Sequence, residues 1–397
     1  MPRILPILIA LFATHTVTFA ETTQPVPAKN AITLTSPVTR IVYQRNHANK
    51  ANIVISGQCP ANATKIEAMI VARDKGGIST KWTSLKSAPV QGAFSGTLTA
   101  TGGWYDLKVR ALEGQSIVAE TKLERVGVGE VFVIIGHSVA QGGGDTNEFA
   151  KDDRVSIVPL EEESPDFAEY KKTADANLLP GLIFAHYGEK MKPAPFGHGT
   201  YFWARFGDFV AQKQNVPVLI FNAAFGGTSL EHWSKSSQGI QFEHGFVRAP
   251  IRMPYINLYN TLKKYIPVTG IRALLADQGQ NDAGQQDASI VLKYYEQSVK
   301  QARDDFGYPE LAVVVNRQTP GIPKNPSKQI REAQERMVKT PFCFPGPDYD
   351  KLAPEDRPDG IHLGPLGEIK AARMWADALD ATFYKTSRPW QPGDVKK

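Results

Sequence analysis

Cysteine is scarce in this sequence. Only Cys59 and Cys343 occur in 397 residues, in segments of different character. Two thiols so placed build no disulfide framework, and no Cys/His cluster has the spacing of a zinc site. Long apolar runs are equally rare. Beyond the first twenty residues no segment approaches membrane-spanning length, so no span is expected after signal cleavage. Blocks of like charge are missing too: the formal charge is only +5, with lysines and arginines scattered among acidic residues. A nucleic-acid partner is therefore not expected, because counter-ion release needs a clustered basic surface. There are no internal repeats and no low-complexity tracts. Hydrophobic residues at 42% and charged residues at 21% are those of a soluble globular chain. Nothing in the composition asks for a metal or an organic cofactor, and nothing in it speaks to oligomeric state.

What is present begins with Arg3, an apolar stretch from Ile4 to Phe12, and a small residue at Ala20. That pattern predicts a secretory signal peptide over 1–20, cut after Ala20, with an uncleaved anchor as the alternative. The mature chain would be secreted or periplasmic. Its charge falls to +4, since Arg3 is the only charged side chain removed. Residues 21–31 read as a linker.

Two periodicities follow. Over 32–126 the runs are short and alternate: Tyr105, Leu107, Val109 and Ala111 are apolar while Asp106, Lys108 and Arg110 between them are charged. One face of such a strand is dry and the other wet. Glu113, Gly114 and Gln115 supply a turn, and Ser116 to Leu123 the returning strand of a hairpin. With Ile53 to Ser56 and Lys65 to Ala72, this predicts a small all-β accessory sandwich of immunoglobulin or fibronectin type.

From 127 to 386 the runs are continuous: Val131 to Ile135, Val216 to Phe221, Leu274 to Ala276 and Leu311 to Val315. Runs of that kind suit strands buried on both faces of a parallel sheet. Helical periodicity separates them at Tyr201 to Gln212, Ile290 to Ala302 and Pro365 to Phe383, so the fold class is α/β, with three layers. Residues 142–196 fit neither period and read as an insertion with short helices. Residues 387–397 read as a tail.

Ligands of open parallel sheets bind beyond the carboxyl ends of the strands. Three apolar runs lead there into Gly136-His137-Ser138, Gly226-Gly227-Thr228 and Gly279-Gln280-Asn281-Asp282. A serine between strand and helix is commonly just a helix cap. To act as a nucleophile it needs a base and donors for an oxyanion. Asp359-Gly360-Ile361-His362 can supply the base, His362 taking the proton of Ser138 while Asp359 orients the ring, although a metal pair or an ordinary loop has the same spacing. Asn281 and the backbone at Gly226 or Gly227 can supply the donors. His198, Trp233 and Arg317 are candidate sugar contacts: a polar loop residue, a ring that could stack on a pyranose and a cation for a carboxylate. Each also has an ordinary structural reading.

These four blocks resemble those of SGNH hydrolases and, within them, of sialate O-acetylesterase-like carbohydrate acetylesterases, whose blocks read GQSN, GGT with a following Trp, QGES or GxND, and DGxH. The similarity runs from about Val126 to Phe383. It implies a flavodoxin-like three-layer domain, an acetylated carbohydrate substrate, Ser138, His362 and Asp359 as the triad, and Gly226 or Gly227 with Asn281 as oxyanion donors. His137 stands where the family has glutamine and Val139 where it has asparagine, so the hydrogen bonds around the nucleophile must differ. A non-sugar acyl esterase or lipase of the same fold, and a catalytically silent glycan-binding protein, are the rival readings.

Overall fold

The structure, a computed structural model, describes residues 31–73, 76–143, 148–282, 284–319 and 327–394. The expected signal peptide and nearly all of the linker lie outside the described residues, as does the end of the tail.

Eight strands come first: β1 Thr33–Ser36, β2 Val42–Gln44, β3 Lys50–Gln58, β4 Lys65–Ala72, β5 Thr83–Ser84, β6 Ala93–Thr101, β7 Gly103–Glu113 and β8 Ser116–Gly136. β1, β3 and β6 form one antiparallel sheet, and β4 pairs with β5 and β7, β7 with β8. The expected hairpin is there. β7 alternates buried and half-buried residues, and Glu113 pairs with Ser116 across the turn. Ile53 and Ile55 from one sheet and Ile66, Ile70, Leu107 and Val109 from the other are fully buried in a shared apolar core.

β8 does not stop where the hairpin would. Its first part pairs antiparallel with β7 as far as Val128, and its second becomes a parallel strand between β11 (Val218–Asn222) and β12 (Ala273–Asp277). The expected boundary at 126/127 thus falls inside one continuous 21-residue strand. No turn residue is needed there, because the strand exchanges partners while keeping its direction.

The remaining strands are β9 Val155–Ile157, β10 Ala185–His186, β13 Ala312–Arg317 and β14 Cys343–Asp348. The sheet order is β10-β9-β11-β8-β12-β13-β14, parallel except for β10. Chain order reverses at β8, since β11 lies on one side of it and β12 on the other. A switch point of this kind opens a crevice at the carboxyl ends of the strands. β9 and β10 belong to the segment read as an insertion with short helices. Among its described residues one α-helix, Pro165–Thr173, and one 3-10 turn, Ala176–Leu178, form, and the short strands extend the sheet edge.

Alternate residues of each central strand feed opposite faces. Val131, Val133, Leu274 and Val313 join one apolar cluster, with Leu258, Val291 and Tyr295 from helices. Phe132, Ile134, Leu275 and Val314 join the other, with Phe202, Phe206 and Trp375. The sheet is therefore covered on both sides. The expected helix over Pro365 to Phe383 is two helices, Pro365–Ala378 and Ala381–Thr386, because Asp380 accepts the Phe383 N–H and caps a new start. Among the described residues no helix is long and apolar enough to cross a membrane.

Candidate active site

At the carboxyl end of β8 the chain must leave a crowded sheet. Gly136 has φ +142°, and a Cβ on it would lie 2.0 Å from the Asp277 carbonyl oxygen of β12. Only glycine permits that approach. His137 then caps a single helical turn, Ser138–Gln141, its Nδ1 accepting the Val139 N–H at 3.3 Å. Ser138, half-buried, heads the turn.

The loop after β14 comes to the same place. Ser138 Oγ is 2.9 Å from His362 Nε2, and His362 Nδ1 is 2.7 Å from Asp359 Oδ2. Asp359 Oδ1 also accepts the N–H groups of Ile361 and His362 at 2.8 and 2.7 Å. The small loss of hydration at Asp359 favours its neutral form, but the bonds from the His362 ring and the two N–H groups prevail and hold it down to about 2. Asp359 is therefore a carboxylate at neutral pH. The loop itself is tied down at both ends: buried Asp356 takes Lys370 Nζ and the Ala353 N–H, and the Tyr201 hydroxyl accepts the Leu363 N–H.

Across the crevice, Gly226 lies against Ser138: a Cβ at 226 would be 3.4 Å from that of Ser138. Gly227 points instead at Phe246. The Gly226 N–H donates to Gln141 Oε1 at 2.7 Å, and Gln141 Nε2 donates to the Phe196 carbonyl at 3.0 Å. Gln141 went unnoticed in the sequence. Its signal is its position three residues after Ser138, on the same side of a helical turn. Asn281 is exposed, and its amide donates to the Thr228 carbonyl at 3.0 Å, which anchors it beside the Gly226-Gly227 loop.

Beneath the serine lies a buried polar network. His137 is fully buried, and desolvation, then the charges of His362 and Arg357, push its ring down to about 3. It is neutral at physiological pH. Its Nε2 is 2.8 Å from Gln318 Nε2. Gln318 and Asn316 both contact Asp277, a fully buried carboxyl that desolvation pushes up to about 7. Asp282, equally starved of water, is likewise pushed up to about 7 while it accepts the Leu230 N–H at 2.8 Å.

The candidate sugar contacts fare differently. Trp233 is 3% exposed, with its indole N–H on the Thr228 hydroxyl, so it packs in the core and offers no face to a sugar. Arg317 donates to the Gly346 carbonyl and lies near Glu335. Successive strand residues face opposite ways, so Asn316 reaches Asp277 while Arg317 does not. His198 is exposed, its ring 3.1 Å from Glu162 and its N–H on the Gln141 carbonyl. That leaves it beside the crevice. Among the described residues no group of three or more His, Cys, Asp or Glu side chains could hold a metal ion.

A family model described as carbohydrate esterase, sialic acid-specific acetylesterase, matches residues 128–381. Among solved structures, a carbohydrate acetylesterase from Xanthomonas citri is similar at 19% identity, over 89% of this chain and 76% of that one, with a TM-score of 0.51. A protein from Arabidopsis thaliana (15% identity, 65% and 98% coverage, TM-score 0.44) and NanS (11%, 64% and 97%, 0.41) are more distant. None of the curated proteins matches the chain.

Proposed function

The chain belongs to the carbohydrate esterase family of sialic acid-specific acetylesterases, and from that premise we propose that it removes O-acetyl groups from carbohydrate through Ser138, His362 and Asp359. It is a hydrolase of ester bonds. The observation that carries the finer reading is the continuous hydrogen-bonded chain from Ser138 Oγ through His362 to Asp359 at the carboxyl end of β8.

In the proposed reaction His362 Nε2 takes the Ser138 proton as Oγ bonds to the acetyl carbon. The carbonyl π-pair moves onto oxygen, and Asn281 with the Gly226 N–H stabilises that charge. Gln141 Oε1 must release the Gly226 N–H for this to happen. The C–O bond to the sugar then breaks, the sugar oxygen leaving with the proton held by His362. Water attacks the acetyl-serine by the same route, giving acetate and free Ser138. Asp359 remains ionised throughout, stabilising the imidazolium.

Export under the 1–20 signal belongs to the same proposal. So does the view that 32–126 is an accessory sandwich of immunoglobulin or fibronectin type preceding a flavodoxin-like hydrolase domain.

The test is Ser138→Ala, with acetate release from acetylated polysaccharides and sialosides as readout. Loss of kcat by about a thousand-fold or more in a folded protein is expected. Near-normal turnover would overturn the assignment of Ser138.

A further inference from the structure

Among the described residues Phe246 is the one aromatic side chain among the exposed large hydrophobics, at 63% exposure. Its place is not arbitrary. The ring abuts Gly227, where a Cβ would lie 2.6 Å from Phe246 Cζ, and the preceding residue Gly226 lies against Ser138. Gly227 has φ +73°, so both backbone conformation and ring contact require glycine there.

The ring is also held. Phe246 stacks on Phe225 with centroids 6.2 Å apart and planes at 18°, and Phe225 stacks on Phe196 at 4.7 Å and 24°. Phe196 in turn packs on Phe167 in the core. His244 meets Phe246 edge-on at 4.6 Å, and its Nδ1 accepts the N–H groups of Phe246 and Val247 at 3.3 and 3.2 Å. With Nδ1 accepting, the proton sits on Nε2, which donates to the Gly227 carbonyl at 3.3 Å. His244 thus fastens the loop carrying Phe246 to the loop beside Ser138.

An apolar ring kept in water by a rigid support loses the gain that burial would give, and exposed apolar surface at the rim of a site marks a ligand contact. We propose that Phe246 is the stacking platform for the pyranose ring whose acetyl group is presented to Ser138. The apolar C–H face of a sugar suits the face of an aromatic ring, while the sugar hydroxyls stay toward water and the polar rim. Trp233 was the ring expected to do this, and it is buried. The inference rests on the proposed esterase reading and assigns that site its sugar subsite.

Phe246→Ala and Phe246→Trp are compared with wild type on a methyl pyranoside bearing O-acetyl groups and on ethyl acetate, which has no ring to stack. Phe246→Ala raises KM for the pyranoside about ten-fold, the factor that matches an aromatic contact, with kcat within about three-fold. Phe246→Trp retains wild-type KM, and turnover of ethyl acetate is unchanged in both. Equal losses on both esters, or an unchanged KM for the pyranoside, would overturn the platform. A second measurement does not depend on turnover: saturation transfer to the sugar protons of the same pyranoside, with Ser138→Ala protein. The ring-proton signal disappears on adding Phe246→Ala to that background, and an undiminished signal overturns the proposal even if Ser138 proves not to be the nucleophile.

Discussion

In the proposed reaction Asn281 is a single side chain held ready for a transient task. One amide N–H is engaged by the Thr228 carbonyl, which also accepts from Gln278 Nε2 at 2.8 Å, so the carboxamide is oriented before any substrate arrives. A donor fixed in advance costs no reorganisation when charge develops on the carbonyl oxygen. Asn281→Ala should therefore lower kcat by roughly a hundred- to a thousand-fold with little change in KM. Steady-state kinetics on one small acetyl ester checks this. A change confined to KM would make Asn281 a substrate-binding residue instead. His137 and Val139 are the departures from the family pattern at this scale. His137 takes a purely internal role, capping the turn that carries Ser138 with one nitrogen and meeting Gln318 with the other.

At the scale of elements, β8 joins the all-β strands to the central sheet, and the joint is clamped by a buried charge. Glu130 on β8 is wholly buried and receives Arg45 Nε at 2.6 Å, Arg272 Nε and Nη2 at 2.7 and 3.0 Å, and Gln44 Nε2 at 2.9 Å. Desolvation opposes its charge, but the two guanidinium groups outweigh it and its pKa falls below the ordinary value. Glu130→Ala would leave Arg272, 2% exposed, without its counter-charge, at a cost of about 3–5 kcal/mol. Chemical denaturation of both proteins measures it; a loss under about 1 kcal/mol would mean that Arg272 finds water. This clamp was not legible in the sequence, because its members lie on segments far apart in the chain and have no common period. The apolar runs of β8, β11, β12 and β13 were legible, since burial on both faces removes polar residues outright. The meeting of Ser138 with Asp359 and His362 was legible too, Ser138 from its place after β8 and the other two from the Asp-x-x-His spacing. β9, three residues long, has no room for a period. Trp233 was misjudged because a tryptophan after GGT reads the same whether it faces solvent or the Thr228 hydroxyl.

The whole molecule carries a pH signature set by burial. Asp277 and Asp282, each held near 7, keep protons between about pH 4 and 7 that an unfolded chain has released. Their contribution to stability is complete below pH 4 and is lost as pH rises through 7. His137 acts in the opposite sense: held near 3, it refuses a proton that the unfolded chain accepts below about 6.5, so its contribution is lost as pH falls from there towards 3. Asp359, near 2, and the depressed Glu130 add to the acid-side loss only below their ordinary values. From pH 5 to pH 8 these two carboxyls, with Asp208 raised in the same sense, oppose His137 and the lesser depressions of His47, His198 and His232. Asp277 and Asp282 carry the largest raised shifts, so stability falls as pH rises across this window. The melting temperature should accordingly be lower at pH 8 than at pH 5. Asparagine at 277 and 282 imitates the protonated carboxyl in shape and carries no titrating proton, so the Asp277→Asn/Asp282→Asn double variant should lose this decline. With the depressed histidines His47, His137, His198 and His232 then dominating that window, its melting temperature should instead rise from pH 5 to pH 8. Scanning calorimetry of both proteins in matched ionic strength decides the matter: a wild type that is more stable at pH 8, or a double variant that still declines, would show that these two carboxyls are ionised in the folded chain.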